Sequence, residues 1–301
     1  MPRVEPERLQ AKAADGRALE VVVAGPEDGT LVLMHHGTPG SAHAIWPAHV
    51  ENATARGLRL AAYSRPGSGT SDRDPGRSVA SCAADATAIA DELGAERFFT
   101  AGGSGGGPHA LACAALLSDR VLAAATIAGV APIDAEGLDW LEGMGEENHE
   151  EFAAARSGPE ALEAFISRWA PELRAAKGPE LLESLGDLVS PPDAAVLSGE
   201  YAEFAAAGFR HALSEGIWVW FDDDLAFIRD WGFDLDAIEV PVAIWQGRQD
   251  RFVPAAHGEW LAANVTGTTG HVLEDHGHLS LALAHFGEVL DGLLAAAGLE
   301  Q

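Results

Sequence analysis

The run Ala101-Gly102-Gly103-Ser104-Gly105-Gly106-Gly107 lies between a strand-like and a helix-like segment, and it constrains the fold more than any other stretch. Residues 97–100, Arg-Phe-Phe-Thr, read as a short buried strand. Residues 108–117 read as a helix with proline in its first turn, where the missing N–H removes no helical bond. The chain must therefore turn so tightly that side chains beside Ser104 would collide, and flanking glycines remove the collision. A hydroxyl on such a turn stands at the positive end of a helix, where developing negative charge is stabilised. Loops and phosphate sites also use glycine, so the turn alone leaves a non-catalytic reading open.

Strand and helix patterns alternate along much of the chain. Residues 19–23 and 31–35 read as strands separated by Gly25-Pro26-Glu27-Asp28-Gly29, and residues 58–63 as the next. The loop Arg65-Pro66-Gly67-Ser68-Gly69-Thr70-Ser71-Asp72 and a helix over 78–93 follow. This loop lacks the Gly-Lys-Ser/Thr ending of a nucleotide cradle, so its glycines are expected to serve the turn and the approach to Ser104. Further strands are expected at 121–128, 242–245 and 271–273, with a last helix over 279–297. Such alternation implies a mostly parallel sheet covered on both faces.

Three of these strands end in residues that carry chemistry. His36-Gly37-Thr38-Pro39-Gly40 follows one, a turn able to aim a backbone N–H into a site. Gln246-Gly247-Arg248-Gln249-Asp250 leaves a carboxylate just past another, and Asp275-His276-Gly277-His278-Leu279-Ser280 puts a histidine before the final helix. With serine, aspartate and histidine in this order, the chain closely resembles the α/β-hydrolase superfamily over nearly its whole length outside the middle third. The resemblance implies Ser104 as nucleophile, His278 as the base, and Asp250 as the carboxylate that orients the imidazole. It also implies an oxyanion hole made by the backbone N–H groups of Thr38 and Gly105. A neutral histidine base implies a rate that rises through about pH 6 to 7.

Rival readings exist for two of these roles. His276 competes with His278, but the superfamily histidine directly follows glycine, as His278 does. Some members carry the acid after the strand preceding the cap, near Asp134, whereas Asp250 matches the commoner arrangement. His36 is expected to support its turn and His109 to pack or cap locally. His35, His36 and His43 lack a helical H-x-x-x-H repeat or a cysteine partner, so neither metal nor other cofactor is expected.

Alternation stops between the strands at 121–128 and 242–245. Helix-like periods there, including 160–175 and 193–213, are broken by Gly158-Pro159, Gly178-Pro179 and Ser190-Pro191-Pro192. By resemblance, residues 133–235 form a helical cap inserted into an α/β-hydrolase core of residues 1–132 and 236–301. The tryptophans of this region mostly pack, with Trp140, Trp218 and Trp220, together with Trp46, expected to line an apolar substrate pocket. From 132 to 236 there are 24 acidic and 6 basic residues, so −18 of the net −27 charge falls here. Solvated helix faces are the favoured reading over a substrate-steering field. The acidic balance argues against nucleic acid and anionic membrane as partners.

Serine at the elbow separates the chain from epoxide hydrolases and haloalkane dehalogenases, which are similar at His36-Gly37-Thr38-Pro39-Gly40 but place aspartate there. Acyl transfer to water is implied, on a small, largely apolar carboxylic ester or lactone. Gly102-Gly103-Ser104 is also similar to proline iminopeptidases, which usually continue with Trp-Gly instead of Gly105-Gly106. An amide hydrolase of that kind, a carbon–carbon hydrolase, a cofactor-free haloperoxidase and a non-catalytic small-molecule receptor stay open. The N-terminal residues lack the apolar core of a signal peptide and no later run is expected to cross a bilayer, so a cytoplasmic location is expected. Cys82 and Cys113 read as reduced packing residues. The expected partner is a small-molecule substrate, with a homodimer left open.

Overall fold

The computed structural model describes residues 6–299. Eight strands form one sheet: β1 (Glu7–Lys12), β2 (Ala18–Ala24), β3 (Thr30–His35), β4 (Leu58–Tyr63), β5 (Phe98–Gly103), β6 (Val121–Ile127), β7 (Val242–Gly247) and β8 (Thr268–Leu273). Their spatial order is β1-β2-β4-β3-β5-β6-β7-β8. β2 pairs antiparallel with β1 and β4, and the other neighbours are parallel. The inner strands are near-continuous apolar runs because helices cover both faces.

Helices α1 (Pro47–Thr54), α2 (Cys82–Glu92) and α3 (Gly107–Leu116) connect the first strands. Six more lie between β6 and β7: α4 (Glu146–Ser157), α5 (Pro159–Ala175), α6 (Gly178–Ser184), α7 (Pro191–Val196), α8 (Gly199–Ala212) and α9 (Trp218–Phe227). α10 (Ala255–Asn264) and α11 (His278–Ala296) complete the chain. One apolar cluster joins Leu33, Ile89 and Leu111 to Leu162 and Trp220 of the inserted helices. The other, on the opposite face, joins Val32 and Phe99 to Phe286 and Leu290 of α11.

Differences from the sequence expectations have local causes. β1 was not expected, because the apolar face it turns to the core holds only Leu9 and Ala11 among polar residues, too short an alternation to mark a strand. The single helix expected over 193–213 is two, α7 and α8, since Ser198 is extended and Gly199 takes a positive φ of 53° between them. Pro159, Pro179 and Pro191 occupy first turns, so they start helices as well as ending the segments before them. α11, at 19 residues and a mean hydropathy of 1.4, is apolar and long enough by composition to cross a bilayer, contrary to expectation. Its Phe286, Val289, Leu290 and Leu293 are instead buried in the core. Cys82 and Cys113 are free and buried, with Sγ atoms 4.0 Å apart.

The strand-to-helix turn after β5 sets a sharp steric demand. A Cβ on Gly102 would overlap the carbonyl of Gly106, and backbone cannot yield cheaply. Gly102→Ala should therefore cost about 1–3 kcal/mol, read as a lower Tm by calorimetry. Gly292→Ala, in α11 with open space around it, should leave Tm unchanged or higher.

Candidate active site

Ser104 leaves β5 with a φ of 53°, a left-handed conformation that only a constrained turn holds in a non-glycine residue. The turn survives because Gly102 and Gly106 carry no Cβ: on Gly106 one would overlap the His35 carbonyl. From the first turn of α3, the buried His109 Nδ1 donates to the Gly105 carbonyl at 2.8 Å. Burial, together with the charge of Arg65, pushes His109 well below its ordinary pKa, so the ring is neutral. Its observed part is to hold the elbow, in line with the local role expected.

His278 opens α11, and its Nδ1 donates to Asp250 Oδ2 at 2.7 Å. Asp250 Oδ1 accepts from the Phe252 and Val253 N–H groups at 2.9 and 2.8 Å, and Gln246 Nε2 lies 3.3 Å from Oδ2. Phe252 stacks on the imidazole with ring centroids 4.7 Å apart. Burial lowers the His278 pKa, but the charge and hydrogen bond of Asp250, with the charge of Asp193 added, raise it above 6.5 overall. Burial raises the Asp250 carboxyl, opposed by His278. With Nδ1 engaged, Nε2 is left for the cavity that His278 and Ser104 both line. No direct Ser104–His278 hydrogen bond is present among the described residues; such contacts commonly tighten when substrate binds.

The rivals lie elsewhere. His276 Nε2 is 3.0 Å from His285 Nε2, outside the cavity lining. Asp134 is exposed in a turn after β6.

Asp193 of α7 is a residue that sequence reasoning missed. Fully buried, it accepts from the N–H groups of His278, Leu279 and Ser280, each at 2.9 Å, and from the Ser190 and Ser280 hydroxyls. These N–H groups have no intrahelical partner, so a carboxylate from the inserted helices caps the helix that carries His278.

A second buried carboxylate, Asp223 of α9, holds the turn after β3. It pairs with Arg65 Nη2 at 2.6 Å and Arg77 Nη2 at 2.7 Å, and accepts from Thr38 Oγ1 at 2.5 Å. Arg65 also donates to the carbonyls of His36 and Gly37 and to Thr38 Oγ1. Burial opposes the Asp223 charge, yet Arg65 and Arg77 keep its carboxyl far below the ordinary range. His36 accepts from the Arg65 N–H through Nε2 and donates to the Gly37 carbonyl through Nδ1, a neutral structural ring as expected. The Arg65 loop thus acts on the turn through its arginine, beyond the glycine roles expected of it. The Gly37 and Ser104 backbones are so close that a Cβ on Gly37 would sit 3.2 Å from Ser104 Cβ.

Two cavities meet at Ser104. The larger, about 280 Å³, is lined by His278 and apolar groups including Leu181, Leu185, Tyr201, Phe204 and Phe209. The smaller, about 60 Å³, is lined by Thr38, Gly105, Phe227 and two carboxylates, Glu151 and Asp224. A larger surface depression between α6 and α8, about 770 Å³, contains none of the motif residues.

None of the four expected tryptophans lines either cavity at Ser104. Trp46 packs behind Tyr201 and Phe204, and the Trp140 N–H donates to the Ala131 carbonyl while its ring packs on Phe152. Trp218 lies under Arg73, 3.8 Å from ring centroid to guanidinium, and the Trp220 N–H donates to Glu151 Oε1. Leucine, tyrosine and phenylalanine of α6 and α8 form the wall instead. The acidic excess is likewise only partly a solvated face, because Asp193, Asp222, Asp223 and Asp224 are buried. A usable signal was present: three aspartates inside the apolar run from Trp218 to Phe227.

A family model described as alpha/beta hydrolase fold matches residues 30–284. A non-heme haloperoxidase from Rhodococcus erythropolis is 29% identical over 258 residues, covering 84% of this chain and 86% of the relative. A non-heme chloroperoxidase from Streptomyces lividans is 33% identical over 133 residues, so the match spans about half of each, 44% of this chain and 48% of the relative. Among solved structures, an esterase from Rhodococcus sp. ECU1013 superposes with a TM-score of 0.69 at 19% identity, over 96% of this chain and 99% of that one.

Because the His278 pKa is raised, the acidic limb of a reaction needing its neutral form should fall above pH 6.5, the upper part of the range expected from sequence or beyond it. The pH dependence of kcat/KM measures this. Asp193→Ala should destabilise the fold by about 1–3 kcal/mol and move the limb to lower pH, since one contributor to the raised His278 pKa is gone. Asp193→Asn, which keeps an acceptor oxygen, should recover stability in urea titrations but not the pH limb.

Proposed function

Since the chain belongs to the α/β-hydrolase family, we infer that it is a serine hydrolase that cleaves a small carboxylic ester or lactone with a largely apolar leaving group. The carrying observation is the convergence of Ser104, the Asp250-bound His278 and the Thr38 turn on one apolar cavity. In this reading, Ser104 Oγ attacks the carbonyl carbon while His278 Nε2 takes its proton. The Asp250 carboxylate keeps Nδ1–H fixed and stabilises the imidazolium. The oxyanion is received by the Thr38 and Gly105 N–H groups, one on the turn that Arg65 and Asp223 engage and one on the elbow. His278 then protonates the leaving oxygen, the alcohol departs, and water activated by the same ring hydrolyses the acyl-enzyme.

The side of each substrate half follows from proton delivery. The leaving group must lie within reach of His278, which lines the larger, apolar cavity. The acyl substituent then falls to the smaller one beside Thr38 and Gly105.

With a short-acyl nitrophenyl ester, Ser104→Ala should lose roughly three to six orders of magnitude in turnover. Asp250→Asn should lose up to about four orders, with an unchanged circular dichroism spectrum, while Asp134→Asn keeps most of its activity. Full activity in Asp250→Asn would place the acid elsewhere.

The names of the two curated relatives favour a second reading, haloperoxidase activity. Bromination with peroxide and bromide that vanishes in Ser104→Ala would support it.

A further inference from the structure

Asp222, Asp223 and Asp224 are consecutive on α9 and all buried, at 3, 0 and 1% exposure. The first two have cations. Asp222 receives a two-point contact from Arg73, at 2.7 and 2.9 Å, and Asp223 lies between Arg65 and Arg77. Asp224 has none: its Oδ2 is buried with no N–H or O–H donor from its neighbours, and the group within hydrogen-bonding reach of the carboxyl is another carboxylate, Glu151 of α4. Glu151 Oε1 accepts from the Trp220 indole at 2.5 Å, a neutral donor that leaves the charge uncompensated. Both acids line the smaller cavity, whose wall also holds Ser104, Thr38 and Gly105.

A buried carboxylate beside a half-buried one is a costly arrangement unless a proton or a cation joins them. Burial, reinforced by the Glu151 charge, pushes the Asp224 carboxyl well above its ordinary range, and burial raises Glu151 as well. A group that brings a positive charge and several N–H donors satisfies both acids at once. The cavity, about 60 Å³, admits only a few heavy atoms.

We propose that Glu151 and Asp224 form a recognition site for a primary ammonium group carried on a short acyl chain, so that the preferred substrates are small aminoacyl esters. The site lies on the oxyanion side of Ser104, away from His278, which is where the acyl substituent falls. This assignment of sides rests on the serine-hydrolase reading, so the test separates binding from turnover.

Binding is measured by calorimetry on Ser104→Ala protein, which needs no catalysis, with glycine benzyl ester and its neutral counterpart benzyl propionate. The ammonium ester should bind at least about tenfold more tightly, equivalent to about 1.4 kcal/mol. Adding Asp224→Asn or, separately, Glu151→Gln should remove that preference, in protein whose circular dichroism is unchanged. Equal affinity for the two esters in Ser104→Ala, or a preference that persists in both double variants, overturns the proposal. Turnover of the esters by the native enzyme reports separately on the hydrolase reading: recognition that passes these binding tests without benzyl alcohol release supports the ammonium site and counts against ester cleavage.

Discussion

The Asp223 carboxylate between Arg65 and Arg77 is the contact on which the rest of the site depends. It arrives from a helix inserted between β6 and β7, yet its partners belong to the loops after β3 and β4. Desolvating three charges is costly, and such a cluster is rarely a net source of stability. What it provides is placement: Thr38 Oγ1 and the carbonyls of His36 and Gly37 are all engaged, so the turn beside Ser104 has few alternatives. Removing one member would leave an uncompensated buried charge, a loss of about 3–5 kcal/mol in comparable cases.

Asp193 repeats the same device on the other side of the site. One inserted-helix carboxylate holds the turn beside the serine, and another caps the helix that begins at His278. The inserted helices therefore do more than cover the pocket; they fix parts of the core on both sides of Ser104. An acidic composition that suggests solvated surface thus includes residues whose charges are buried and individually assigned.

The elbow and the inner strands were legible in sequence because each depends on local chemistry, and the Asp250–His278 pair was legible through the resemblance of its motifs to the superfamily. Gly102 and Gly106 are demanded by close backbone approach, and the inner strands are marked by unbroken apolar runs. The pocket was not legible. Which aromatic residues face a cavity depends on how α6, α8 and α9 pack, and tryptophan's size makes it as useful behind a wall as in one. β1 was hidden because its apolar face is only two residues long, Leu9 and Ala11. Asp193 and Asp223 escaped because the α11 N–H groups and the arginines they engage are 85 or more residues away along the chain, at a distance that no spacing rule covers.

A crystal structure of the protein inhibited with a short alkyl phosphonate tests the central claim most directly, since the adduct mimics the tetrahedral intermediate. The account predicts phosphorus bonded to Ser104 Oγ, with the phosphonyl oxygen about 2.7–3.1 Å from both the Thr38 and Gly105 nitrogens, and with Asp223 still engaged by Arg65 and Arg77. A label on another residue, or an oxygen turned away from those two N–H groups, would contradict it.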